Sequence, residues 1–491
     1  MYELNDLLEN DDRYKLSLLN YFEAVGSEQL IQINNLGDLL GISKYRVVNY
    51  ITELNKELLL NELSSRIDIY ENKEIRITEL NREHIRILRL FYLERSTTFL
   101  IFKEALSKVQ SIEEFADRHF MSLSAAYARN KQLILFLKPL GIKLKKGKLV
   151  GREEIIRRLI FEVLFQFYNG IKDPFEENIM NSRDVAKKIG EGLNLSCSPI
   201  QEIKIYLFIG IQNLRVRNDF LLTSGNETEI SQFGEDFIWI KQYLNKIYHN
   251  LTDKELRREV ISINQYLELQ GLLECEDMWD ELGNEQAVQM TNSFVHGLEG
   301  HLANYLTSDD QEKKEYFIHL GKELKVINMR FISGYGHAET FPFQRQVKFF
   351  EETYPLYHDY IIKYFEQNSN FNQFEFTKSE KIALYYEYMF TINVCIPASE
   401  VNDAIHICVD FSSGKNYSRY IANNIKSFKD LNIIVEERLS SQTDIYMSDF
   451  VVTKIKCRQI IWLNPPTNKD WENFGNLVVE FKRLKVKNEN N

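Results

Sequence analysis

The sequence predicts a mostly helical, multidomain protein. It opens with two winged helix-turn-helix units, runs through two helical bundles and closes on a small α/β domain. Three observations lead there. The chain has 491 residues, which is the length of three or four domains. It holds only 8 Pro and 21 Gly against 13% aromatics, the balance of long regular elements and not of a loop-rich or disordered chain. Near Pro397 the apolar pattern changes from helical spacing to strand, helix, strand.

Charge and cysteine content exclude several classes of protein. Sixty Lys and Arg against 71 Asp and Glu give a formal net charge of -11, which argues against a uniformly nucleic-acid-coating or membrane-coating protein. The charge is uneven, however: residues 1–150 carry +1 and residues 151–491 carry -12. Within residues 118–158, eleven Lys or Arg face two acids, a local charge of +9. Such a stretch is a candidate phosphate-binding surface or, equally on charge alone, a solvated face. No apolar run reaches the 18 to 20 residues of a membrane span, and MYELNDLLENDDRY is acidic without an apolar signal-peptide core. Five cysteines with no Cys-x-x-Cys pair suit free thiols in a reducing compartment. The expectation is a soluble, cytoplasmic chain.

The first unit is read from IQINNLGDLLGISKYRVVNYITELNKEL. Leu36, Leu39 and Leu40 line a short helix, Gly41 permits a tight turn, and Ser43 caps a second helix with Val47, Val48, Ile51, Leu54 and Leu58 at helical spacing. That spacing puts Lys44, Tyr45, Arg46 and Asn49 at the exposed N-terminal end, with residue types suited to a major groove. SSRIDIYENKEIRITEL then alternates about an Glu71-Asn72-Lys73 turn, as a two-stranded wing does.

A second version follows at SIEEFADRHFMSLSAAYARNKQLILFLKPLGIKLKKGKLVG. Ala116 allows close helix packing, Met121 supplies the apolar position after the turn, and Ser122 or Ser124 caps the next helix. Phe120 stands where the first unit has its turn glycine. The second helix is expected to expose Tyr127, Arg129, Asn130 and Lys131, and Gly147 to turn a hairpin carrying Lys143, Lys145, Lys146 and Lys148 within reach of phosphates. Two winged units in tandem, the second strongly basic, point to double-stranded DNA.

From Glu153 to about Pro397 the chain reads as long amphipathic helices. DKELRREVISINQYLEL and SEKIALYYEYMFTINVC, about 125 residues apart, look alike and suggest a duplicated bundle. After Pro397, DAIHICVDF, LNIIVEERL, TDIYMSDFVVTK and RQIIWLN read as strands, with YSRYIANNIKSF and a segment near NKDWENFGNLVVEFKRL as helices. This order predicts a small parallel α/β domain.

Tandem winged units, duplicated bundles and a small α/β end domain resemble the Mga and AtxA family of virulence regulators of Gram-positive bacteria. Locally, LGDLLGISKYRVVNYITELNKEL is similar to the family's helix-turn-helix. The resemblance implies winged helix-turn-helix units over 1–78 and 79–152, PTS regulation domains over 153–275 and 276–397, and an enzyme IIB-like domain over 398–491. It implies a transcriptional regulator, usually an activator, that dimerises through the end domain. It also implies histidine phosphorylation in the bundles by phosphotransferase-system proteins.

Residue by residue, the regulatory half of the resemblance is thinner. No histidine lies around Arg215 and Arg217; seven residues past Glu255 stands Ser262, and seven past Glu380 stands Glu387. His296 falls near a position expected to be phosphorylated. Glu387 is a permanent carboxylate where the family places a histidine, or simply a salt-bridged Glu. DFSSGKNYS offers Phe411, Ser412 and Ser413 but no Cys where an enzyme IIB phosphocysteine would stand. An interaction role is therefore expected of the end domain.

Catalytic and metal chemistry find little support. His406 and Cys408 share one face of a strand without a third ligand, and GKNYS lacks the first glycine of a Walker loop. His337 and His358 lie among aromatics and acids, as structural histidines do. The expectation is no enzyme, no cofactor and no metal. Two other readings stay open: a helical scaffold binding an acidic partner, and an RNA-binding antiterminator, although the latter usually begins with a β-rich module.

Overall fold

The computed structural model describes residues 3–26, 31–106, 111–175, 182–223, 234–273, 285–335, 347–374, 376–397, 400–428 and 431–489. The chain is mostly helical with a small parallel sheet at its C-terminal end. It divides into two compact units, Met1–Leu282 and Gly283–Asn491.

The first unit begins with a segment pinned by Leu4, Leu7 and Leu8, all buried, and helix α1 (Asn10–Val25). Strand β1 (Ile31–Gln32), α2 (Ile33–Leu40) and α3 (Lys44–Leu60) follow. Gly41 has φ +63°, the left-handed conformation the α2–α3 turn needs, and the Ser43 hydroxyl accepts from the Arg46 N–H. Strands β2 (Arg66–Ile69) and β3 (Glu74–Thr78) form an antiparallel hairpin with Ile67 opposite Ile77. Strand β1, beyond the two-stranded wing expected from the sequence, pairs antiparallel with β3 to make a third strand. Asn55 of α3 fastens the hairpin: its side chain donates to Ile67 O (2.7 Å) and accepts from Ile67 N (2.9 Å).

Helices α4 (Arg82–Arg95) and α5 (Thr97–Glu104) lead to α6 (Ile112–Arg118), which starts with a capping box between Ser111 and Glu114. Phe120 takes the left-handed turn position at φ +52°. Ser122, not Ser124, caps α7 (Leu123–Leu137) by accepting from Ala125 N. Strands β4 (Lys143–Lys145) and β5 (Lys148–Val150) pair antiparallel about Lys146 and Gly147, both at positive φ, so the loop has the backbone of a two-residue hairpin turn. Helices α8 (Glu153–Tyr168), α9 (Ser182–Gly192), α10 (Pro199–Arg217), α11 (Glu235–Asn245) and α12 (Asp253–Leu269) complete the unit around Ile160, Phe167, Ile209, Ile263 and Leu267.

In the second unit, α13 (Glu285–Leu302), α14 (Asp310–Ile332), α15 (Val347–Thr353), α16 (Pro355–Gln367), α17 (Ser369–Asn372) and α18 (Lys378–Cys395) bury a core rich in aromatics. The look-alike helices α12 and α18 both open with a Thr-x-x-Glu capping box, Thr252 with Glu255 and Thr377 with Glu380. Strands β6 (Ile405–Val409), β7 (Ile433–Glu436), β8 (Ile445–Ser448) and β9 (Arg458–Ile461) form a parallel sheet in the order β7-β6-β8-β9. Helices α19 (Lys415–Lys426) and α20 (Asn468–Glu489) bring Ile421, Ile425, Phe474 and Val478 into its core. Among the described residues no helix is long and apolar enough to cross a membrane.

Candidate nucleic-acid interface

Helices α3 and α7 occupy equivalent places in their units, each following a short helix and a left-handed turn and preceding an antiparallel hairpin. On α3 the buried face is Val47, Tyr50, Ile51, Leu54 and Leu58. Its outward face carries Lys44, Tyr45, Val48, Asn49 and Thr52, all exposed, with Tyr45 at 77%. Val48 thus departs from the apolar ladder expected of it. Arg46 is exposed as expected, but its side chain leaves the outward group. It points toward α1, where its guanidinium stands 5.6 Å and 5.5 Å from the Tyr14 and Tyr50 ring centroids and 3.0 Å from Asp11 Oδ1. Tyr50, whose hydroxyl also donates to Asp11 (2.7 Å), is pushed up to about 12 by burial and by that carboxylate.

On α7 the buried positions are Ala126, Leu133, Phe136 and Leu137. Tyr127 and Lys131 are exposed as expected, but Arg129 and Asn130 are half-buried. The physical reason for Arg129 is its partners: the guanidinium pairs with Glu9 and donates to Gln132 Oε1 (3.0 Å). The Tyr127 hydroxyl donates to Glu113 of α6. Leu123, Ser124 and Ala128 share the outward face with Tyr127 and Lys131. These small and apolar residues, with Val48 and Thr52, lie outside the polar set expected at the duplex; helical spacing is the signal in the sequence that places them on the same face. Phe120, at the turn, is 97% exposed.

The α7 hairpin carries Lys143, Lys145 and Lys146 exposed and Lys148 half-buried. Lys145 and Lys148 face each other across the strands. Lys148 Nζ sits 5.7 Å from the Phe220 ring centroid, so part of this side chain is committed to packing.

Behind the hairpin lies a buried ionic cluster. Arg215 Nε and Nη2 donate to the two Glu153 carboxylate oxygens at 2.7 Å each, and its Nη1 donates to Leu106 O at 2.9 Å. Arg157 bridges Glu153 (3.1 Å) and Glu259 (2.6 and 2.9 Å), and Gln212 donates to Glu259 at 2.7 Å. Burial works against the Arg157 charge, but Glu259 and Glu153 outweigh it and hold its pKa above the ordinary value. A second cluster ties α3 to its neighbours: Lys15 reaches Glu57 (2.6 Å) and Asp12 (3.1 Å), and Tyr92 donates to Glu57 (2.7 Å).

In the second unit, His296 is exposed on α13. Glu387 accepts from Arg330 at 2.7 Å, which agrees with the salt-bridged reading of this residue. His358 bonds the Tyr385 hydroxyl through Nδ1 (2.8 Å), and His406 bonds Glu436 through Nδ1 (2.9 Å). Cys408 is buried, and burial pushes its thiol up to about 11. His337 lies outside the described residues. After β6, the Ser412 backbone N–H donates to Asp449 at 2.8 Å, and its hydroxyl bonds the same carboxylate. Among the described residues no three His, Cys, Asp or Glu side chains group as metal ligands.

Residues 80–165 match the family model of the Mga helix-turn-helix domain. The match runs from α4 into α8 and so covers α6, α7 and the lysine hairpin; α2 and α3 lie outside it. It is consistent with the Mga-like regulators that the sequence resembles. No curated protein matches the chain.

Proposed function

We propose, with an Mga helix-turn-helix domain at residues 80–165 as the premise, that this protein is a transcriptional regulator that binds double-stranded promoter DNA. The observation that carries the reading is the coincidence of that match with α7, its outward face and the exposed Lys143, Lys145 and Lys146. In this reading α3 and α7 enter major grooves. Lys44, Tyr45, Asn49, Tyr127 and Lys131 meet the duplex, while the hairpin lysines hold phosphates and supply salt-sensitive affinity. The two helix–helix–hairpin segments serve as winged units over 1–78 and 79–152.

The finer part of the reading is an activator, acting as a cytoplasmic homodimer held by its C-terminal domain. Its helical regions, 153–275 and 276–397, serve as PTS regulation domains answering to phosphotransferase-system proteins, with His296 exposed for modification. The domain over 398–491 has an interaction role in place of phosphotransfer, since Phe411, Ser412 and Ser413 stand where an enzyme IIB phosphocysteine would. The protein acts without a cofactor. Dimerisation sets two pairs of reading helices on one duplex and raises affinity through effective concentration.

The test is binding to duplex DNA across a salt series, beside a variant with Lys143, Lys145 and Lys146 changed to Ala. Lys148 is kept because it packs on Phe220. The expected result is steep loss of affinity with salt, flattened in the variant by up to about 0.9 in the log–log slope per lysine. Absence of binding by the wild-type protein at low salt would remove the DNA reading and favour a scaffold for an acidic partner.

A further inference from the structure

The acidic N-cap and first turn of α1 touch both reading helices. Glu9 pairs with Arg129 of α7, and Asp11, two residues on, pairs with Arg46 of α3. The segment is firmly held. Leu4, Leu7 and Leu8 are buried, Ser96 donates to Leu7 O (2.5 Å), and Gln132 of α7 donates to Asp6 O (2.8 Å). Each carboxylate has a further donor that fixes it: Thr97 N for Glu9 (3.3 Å) and the Tyr50 hydroxyl for Asp11 (2.7 Å). The arginines stand half-exposed at the rim of each helix.

Resting on the DNA-binding reading, we propose that Glu9 and Asp11 are specificity-determining residues that withhold Arg46 and Arg129 from DNA phosphates. A guanidinium takes a carboxylate and a phosphate with the same fork geometry, so an arginine paired to a fixed carboxylate adds little to phosphate binding. Phosphate contacts raise affinity for every sequence alike, whereas contacts to base edges discriminate. Holding one arginine on each reading helix therefore lowers indiscriminate affinity and leaves Lys44, Tyr45, Asn49, Tyr127 and Lys131 to read. Both pairs are accessible to solvent, so removing the carboxylates frees the arginines without opening the core.

The experiment uses the full chain and two duplexes: one selected by the wild-type protein from a random-sequence pool, and a scrambled one of the same composition. The double variant E9Q/D11N is expected to bind the scrambled duplex up to about fivefold more tightly for each arginine released. Its salt slope is expected to steepen by roughly 0.9 per arginine, and its preference for the selected duplex to fall. E9D/D11E, which keeps both charges, is expected to restore the preference. Unchanged slope and preference in E9Q/D11N, or weaker binding to both duplexes, would overturn the inference. Should E9Q/D11N not fold, R46Q/R129Q replaces it: a wild-type slope on the scrambled duplex supports withheld arginines, and a flattened slope refutes them. Wild-type protein that enriches no duplex from the pool and does not bind the scrambled one defeats the DNA reading and this inference together. Binding that answers to the hairpin lysines but not to Glu9 and Asp11 defeats this inference alone.

Discussion

Arg215 and Glu153, 62 positions apart in the chain, close a two-pronged ion pair with both nitrogen–oxygen distances at 2.7 Å and no exposure of the Arg215 side chain. Desolvating four charges is costly, and Glu153, Arg157, Arg215 and Glu259 recover that cost only because nearly every fork is matched. Phe220 covers the Arg215 guanidinium at 3.8 Å and on its other contact meets Lys148 of the hairpin. The bundle's ionic centre and the basic hairpin thus share one aromatic ring.

Breaking one partner is expected to be severe. Arg215→Met leaves Glu153 with Arg157 alone and should cost about 3–5 kcal/mol, the usual penalty for half a buried pair. Denaturant unfolding measures it. The paired change Arg215→Met with Glu153→Met should cost less than Arg215→Met alone; an equal or greater loss would mean that packing, not charge, is what the site supplies.

Phe120→Gly should stabilise the first unit. A non-glycine residue at φ +52° carries left-handed strain of roughly 1 kcal/mol, and a ring 97% exposed gives up almost no burial. A raised urea midpoint is the expected reading. A lowered midpoint would show that the ring has a partner in solution.

Glu387→Gln should destabilise the second unit by about 1.5–3 kcal/mol, the range for hydrogen bonds to charged groups, because Arg330 keeps its charge in a mostly buried place. Glu387→His is expected to do the same at pH 8, where the imidazole is neutral. Comparing DNA affinity of both variants with wild type tests whether this carboxylate also sets the state of the bundle.

Acid should weaken the second unit first through two imidazoles. Burial lowers the pKa of His301 and of His358 below the ordinary 6.5. The unfolded chain therefore takes up protons before the folded one, and stability is full above about pH 6.5 and declines as pH falls toward the depressed folded values. His301→Asn should flatten that decline in pH-dependent melting, above the range where carboxylates titrate.

Much of this architecture was legible in the chain. Ser43, Gly41, Ser122 and Gly147 are local signals, and each sits in the cap or turn that its chemistry specifies. The strand–helix alternation after Pro397 likewise appears as a parallel sheet. What local pattern could not give was the partner of a charge. Arg46 and Arg129 read as free side chains because Asp11 and Glu9 lie 35 and 120 residues away. The same holds for Arg215, whose carboxylate acceptor comes from α8 and whose backbone acceptor comes from the turn after α5, 62 and 109 residues away. Strand β1, two residues long, is too short to carry a period.

Only Gly151 and Arg152 lie between the last residue of β5 and Glu153, the first residue of α8. Two extended residues span about 7 Å, and Gly151 is already drawn against the turn ahead of β4, where a Cβ would stand 3.4 Å from Gly141 O. The lysine hairpin therefore hangs on a leash with no slack. A displacement of the α8 backbone at Glu153 is therefore expected to carry the hairpin with it, and a displacement of the hairpin to carry the start of α8.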